Sequence, residues 1–100
     1  MGKYCVFLVE IEPFDQKIMD YLLENNSEAR YALKGNPSLW ETHEKDLREL
    51  SKKYSANLFI LYAEGETIDN NWIKYFKNGK MQFSAGNIVF DDFNEEKLLL

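Results

Sequence analysis

Two hydrophobic periods alternate along this chain, and the switches between them mark its elements. In "YCVFLVEI", Cys5, Phe7, Val9 and Ile11 share one side and Tyr4, Val6 and Leu8 the other, so the run is apolar on both faces and predicts a central strand. Pro13 ends it. "FDQKIMDYLLENN" then places Phe14, Ile18, Tyr21 and Leu22 at helical spacing, with Asp15 at the start and Asn25-Asn26 at the end. "EARYALKGNP" alternates Ala29, Tyr31 and Leu33 with Glu28, Arg30 and Lys34, which predicts a half-exposed strand stopped by Gly35 and Pro37.

In "SLWETHEKDLRELSKKY" the pair Ser38 and Glu41 has the spacing of a capping box, so a second helix is expected from Ser38. Its apolar stripe is Trp40, Leu47, Leu50 and Tyr54, and Glu41–Lys45, Glu44–Arg48 and Glu49–Lys53 are acid-before-base pairs one turn apart. "ANLFILYAE" is apolar on both faces, through Leu58, Ile60 and Tyr62 and through Phe59, Leu61 and Ala63. A second central strand is expected there, with an acidic loop opening at Gly65.

"WIKYFKNGKMQF", residues 72–83, reads as a hairpin, because Asn78-Gly79 suits a two-residue turn whose positions both need positive φ. That register sets Phe76 against Met81 and Tyr75 against Gln82. Trp72, Phe76, Met81 and Phe83 then form the expected core face, and Ile73, Tyr75, Lys77, Lys80 and Gln82 the expected solvent face. Lys74 falls on the core side between Trp72 and Phe76, where it must snorkel outward unless the turn is longer.

The order β, α, β, α, β, β, with a last strand at "NIVF", predicts a single α+β domain over residues 1–100 with the final residues fraying. The expected architecture is a two-layer sandwich, a sheet of four or five largely antiparallel strands with two helices on one face. Tyr4, Tyr31, Tyr62 and Tyr75 are candidates to line the other face, an aromatic-rich surface suited to a protein partner or to a second copy.

Charge narrows the functional classes. The chain carries 12 basic and 17 acidic residues, a net −5, which disfavours nonspecific phosphate binding. The excess is uneven: Lys74, Lys77 and Lys80 stand in an acid-free stretch over 71–85, leaving nine positive against seventeen negative, −8, elsewhere. One cysteine, Cys5, cannot form an internal disulfide, and the amino-terminal run is too short and too interrupted for a spanning helix or secretion signal. These features predict a soluble cytoplasmic protein without a membrane partner.

Candidate chemistry is sparse. "HEKDL" resembles half of the zinc-protease helix motif, but Leu47 stands where the second histidine is required. His43 falls between Trp40 and Leu47, in a packing or capping position. Cys5 and His43 lack an announced third group to orient them as a nucleophile pair. The acids Glu64, Glu66 and Asp69 lack the ligand ladder of a calcium loop, and the isolated glycines lack the spacing that cradles phosphate. No catalytic residue, metal site or cofactor is expected.

"ETHEKDLRELSKKYSANLFILYAEGE" followed by "WIKYFKNGK" resembles a pattern in small, mostly uncharacterised proteins of bacteria, phages and other mobile elements. There a Trp-led acidic helix ending "LSKKY" precedes a strand, a "GEGE"-like turn and a hairpin of the form Trp…Tyr-Phe-Lys-Asn-Gly-Lys. The likeness covers roughly residues 29–82. It departs at "AEGE" and at "SAN", where a glycine and a proline are usual. It implies a ferredoxin-like α+β sandwich and no particular activity, cofactor or catalytic residue.

The leading expectation is a non-enzymatic protein-interaction module that engages a protein through an acidic surface or the open sheet face. Given the resemblance, it would inhibit a host defence nuclease or effector, in the manner of an anti-CRISPR protein, its carboxylates standing where phosphates would bind. Glu41, Glu44, Asp46 and Glu49, with Asp91, Asp92, Glu95 and Glu96, would carry the contact. The alternative is nucleic-acid binding by the hairpin through Lys74, Tyr75, Lys77 and Lys80.

Overall fold

The computed structural model describes residues 4–65, 71–85 and 98. The elements are β1 (Val6–Glu12), α1 (Gln16–Asn25), α2 (Ser27–Ala32), α3 (His43–Lys53), β2 (Leu58–Glu64), β3 (Trp72–Lys77) and β4 (Lys80–Ala85). The strands form one antiparallel sheet in the order β1-β2-β3-β4. This is an α+β fold with an open four-stranded sheet and, among the described residues, three helices. Its strands are consecutive neighbours, whereas a ferredoxin-like domain splits its β-α-β units. The expected strand at 87–90 lies outside the described residues.

α1 starts where Asp15 accepts a bond from the Lys17 N–H at 2.9 Å, and it buries Ile18 and Leu22. The segment expected as a strand after it is helical instead. Asn26 caps α2 by accepting from the Ala29 N–H at 2.9 Å, and the fully buried pair Ala29 and Ala32 is three residues apart, a helical period. Tyr31 therefore projects from a helix, and Gly35, at φ +90°, turns the chain out of it.

The second correction concerns Ser38. Its N–H and C=O both bond Cys5, at 2.9 Å each, as an antiparallel bridge, and among the described residues its hydroxyl has no partner, so no capping box forms. α3 begins at His43 instead. Trp40 precedes the helix but is buried, while Leu47, Leu50 and a half-buried Tyr54 follow the expected stripe. The Glu44–Arg48 pair forms at 3.5 Å.

The hairpin has the expected register, Phe76 opposite Met81 and Tyr75 opposite Gln82, and Asn78 and Gly79 take φ of 52° and 79°. α3 clamps its turn: Ser51 Oγ accepts from the Gly79 N–H at 2.9 Å, and Arg48 donates to the Gly79 carbonyl at 3.2 Å. The faces differ from expectation. Ile73, Tyr75, Gln82 and Ser84, on the side expected in solvent, are buried, and Phe83, expected in the core, is half exposed.

The main core joins Phe7, Val9 and Ile11 of β1 to Phe59, Leu61 and Ala63 of β2 and Phe76 and Met81 of the hairpin, with Ile18, Leu22, Leu47 and Leu50 from the helices. Ile60, Ile73 and Tyr75 form a second cluster with Leu58 and Tyr62. β2 is central, as expected, with Phe59, Leu61 and Ala63 buried on one face and Ile60 on the other. β1 is not central: it is an edge strand whose even positions, Val6, Leu8, Glu10 and Glu12, are all exposed.

Candidate functional site

Among the described residues, three of the places that gather polar or exposed apolar side chains bear on function. The first explains Lys74. The residue lies on the core side of β3, with Nζ 4.5 Å from the Trp72 ring centroid and 5.9 Å from that of Phe83. The ammonium lies 2.7 Å from His43 Nε2 and 3.4 Å from Glu44 Oε2. Lys74 is thus a cation bridged inward to α3, its side chain only 13% exposed.

His43 Nδ1 sits 2.6 Å from the Trp40 carbonyl, which can only accept, so Nδ1 carries the proton and Nε2 receives the Lys74 N–H. Burial holds the imidazole below its ordinary range, against the opposing pull of the Trp40 carbonyl, and nearby Lys74 adds to the lowering. Burial likewise lowers Lys74, partly offset by Glu44. With both nitrogens bonded inside the fold and its ring 5.0 Å from Trp72, His43 has no lone pair to offer a reactant. The cluster binds α3 to β3.

The second place is the acidic run on and before α3. Asp46 is committed to the fold: its Oδ2 accepts from Asn26 Nδ2 at 2.7 Å, Trp40 Nε1 at 2.9 Å and Thr42 Oγ1 at 2.8 Å. Glu44 pairs with Lys74 and Arg48. Glu41 is exposed in the turn before α3, and Glu49 is exposed beside a groove of about 200 Å³ that also borders Asp46, Tyr21 and Lys53. Asp91, Asp92, Glu95 and Glu96 lie outside the described residues.

The hairpin quartet is not gathered on one surface. Lys74 is turned inward, Tyr75 is 8% exposed on the opposite face, and Lys77 and Lys80 are half-buried and face each other across the turn. Tyr75, the aromatic of the quartet, is therefore not presented for base stacking, which needs an exposed ring.

The third place is the outward face of β1. Tyr4 and Leu8 are 55% and 58% exposed, Val6 lies exposed between them, and Glu10 and Glu12 continue the same line. Tyr62 stands opposite Leu8, and Glu64 opposite Val6. Burial and its hydrogen bond to Glu10 push the Tyr62 hydroxyl up to about 12, so it remains a donor holding that carboxylate. A recess of about 280 Å³ opens beside Val6 and Leu8, bordered also by Tyr62, Glu64 and Trp72. An apolar strip with acids at its ends results.

Of the expected surface tyrosines, Tyr4 is on this face, Tyr62 is half-buried at its floor, Tyr31 is on α2 and Tyr75 is buried. Sequence reasoning passed over Val6, Leu8, Glu10 and Glu12 as a surface. The signal was present, since Glu10 and Glu12 share the parity of Val6 and Leu8, and paired glutamates mark a face that reaches water. No family model, curated protein or solved structure matches the chain. Among the described residues no group of side chains is arranged to hold a metal ion, and no helix is long and apolar enough to cross a membrane.

Proposed function

We propose that this protein is a non-enzymatic interaction module that binds a protein partner through the outward face of β1. The observation that carries this reading is the exposure of Tyr4, Val6 and Leu8 on an edge strand. Large aliphatic side chains contiguous along an edge favour association and are usually blunted by charge or cover. With the helices taken as one layer on the side of Phe7, Val9 and Ile11, the opposite side is open to a partner at β1, whereas further along the same face Ile60, Ile73 and Tyr75 are buried.

Glu10, Glu12 and Glu64 around the apolar strip, together with the net charge of −5, favour a basic partner surface. Combined with the resemblance to mobile-element proteins, this points to a cytoplasmic role as an inhibitor of a host defence nuclease or effector, with the carboxylates opposing groups that otherwise meet phosphate. Glu41 and Glu49, exposed on the α3 side, would add long-range attraction.

The test is capture from nuclease-treated bacterial lysate by the tagged full chain and by its Leu8→Lys and Glu10→Lys variants. A protein retained by the parent and lost by both variants is the expected result. Equal recovery on all three, or nucleic acid that washes off with salt, overturns the reading.

A further inference from the structure

We infer that the outer edge of β1 takes up an extended segment of a protein partner as a fifth, antiparallel strand, and that this segment reads basic-x-basic-x-apolar from its amino terminus. The inference rests on the interaction reading above and specifies the partner's chemistry.

The backbone comes first. Cys5 turns both its N–H and its C=O to Ser38, so these groups point away from β2. Peptide groups alternate sides along a strand, which directs the N–H and C=O of Phe7, Val9 and Ile11 to that same outer edge. Among the described residues only Ser38 pairs there, and it closes the edge at Cys5 alone. A site about five residues long remains, Phe7 to Ile11, with a ladder ready to be completed.

Side-chain chemistry selects the occupant. When Phe7, Val9 and Ile11 take the hydrogen-bonded positions, the even residues fall in the non-hydrogen-bonded pairs, where opposing side chains approach most closely. Those residues are exposed Leu8, Glu10 and Glu12. An antiparallel segment passes them in the order Glu12, Glu10, Leu8, so its two basic residues precede its apolar one. A second copy of this chain fits poorly. Antiparallel self-pairing centred on Val9 sets Leu8 against the acid Glu10 of its mate, leaves every glutamate uncompensated, and brings together two bodies of net charge −5.

The experiment selects a random peptide library against the full chain, then measures amide hydrogen exchange of the chain with the enriched peptide. The expected consensus is basic-x-basic-x-apolar, with slowed exchange at Phe7, Val9 and Ile11. Affinity should fall roughly tenfold for Leu8→Lys and for the Glu10→Lys/Glu12→Lys double variant, both checked for intact fold by circular dichroism. Peptides that bind in a Leu8-dependent way without protecting those amides would overturn strand addition and leave the interaction reading standing. No enrichment, or binding indifferent to Leu8, Glu10 and Glu12, overturns both. A sedimenting dimer that Leu8→Glu, which faces Glu10 of the mate, dissociates assigns the edge to a second copy and overturns the peptide inference.

Discussion

Asp46 Oδ2 receives three donors, and one of them is the indole N–H of Trp40, itself buried. Removing the carboxylate leaves that N–H without a partner in the core, so Asp46→Ala should cost roughly 2–3 kcal/mol in urea unfolding. Asp46→Asn keeps an acceptor oxygen and should cost less. A second residue-scale consequence is the pH dependence of His43, whose surroundings include Lys74, Glu44 and Asp46. Folding holds the imidazole below its ordinary 6.5, so above that pH it is neutral in both states and its contribution is complete. As pH falls below 6.5 the unfolded chain takes the proton first, and stability is lost towards the lower folded value. Between about pH 7.5 and 5.5 the urea midpoint of the parent should therefore drop further than that of His43→Phe, which keeps the ring packing without the titration. Parallel curves would refute the assignment.

At the scale of elements, the hairpin was legible because its turn chemistry is local. Asn78 and Gly79 both take positive φ, and an alanine Cβ at Gly79 would meet Lys52 at 3.6 Å, an ordinary contact. The cost of Gly79→Ala is thus backbone strain alone, about 1–2 kcal/mol, readable as a lowered melting temperature with unchanged far-ultraviolet dichroism. A larger loss would mean that the clamp from Ser51 and Arg48 had also been disturbed. α2 was not legible in this way. Ala29, Tyr31 and Leu33 satisfy a strand's alternation as well as Ala29 and Ala32 satisfy a helix's spacing, and the Asn26 cap settles the choice locally. Ser38 misled for a related reason: a capping box needs its backbone outside other pairing, and Cys5 had already engaged it. The faces of β3 and β4 depend on what packs over them, and alternation alone does not carry that. The candidate surface on β1 could have been read from Glu10 and Glu12, but knowing that the strand is an edge required the sheet order.

For the whole molecule, charge and the exposed edge act against each other. A body of net −5 repels its own copies at neutral pH, which opposes self-association through the exposed Tyr4, Val6 and Leu8 strip. That protection is lost near the isoelectric point of about 4.8, where the net charge vanishes. Light scattering of the parent should therefore rise as pH is lowered from about 7 towards 4.8, and added salt at neutral pH should give a weaker rise of the same kind. Two processes share this window, since protonation of His43 also weakens the fold below 6.5. Leu8→Glu separates them. It leaves His43 and its partners untouched, so it preserves the pH dependence of unfolding, while it breaks the apolar strip and sets an acid against Glu10 of a mate. If scattering comes from strand edges meeting, Leu8→Glu should suppress it without moving the urea midpoints. If instead it comes from partial unfolding, the variant will scatter as the parent does, and His43→Phe will be the one that stays clear.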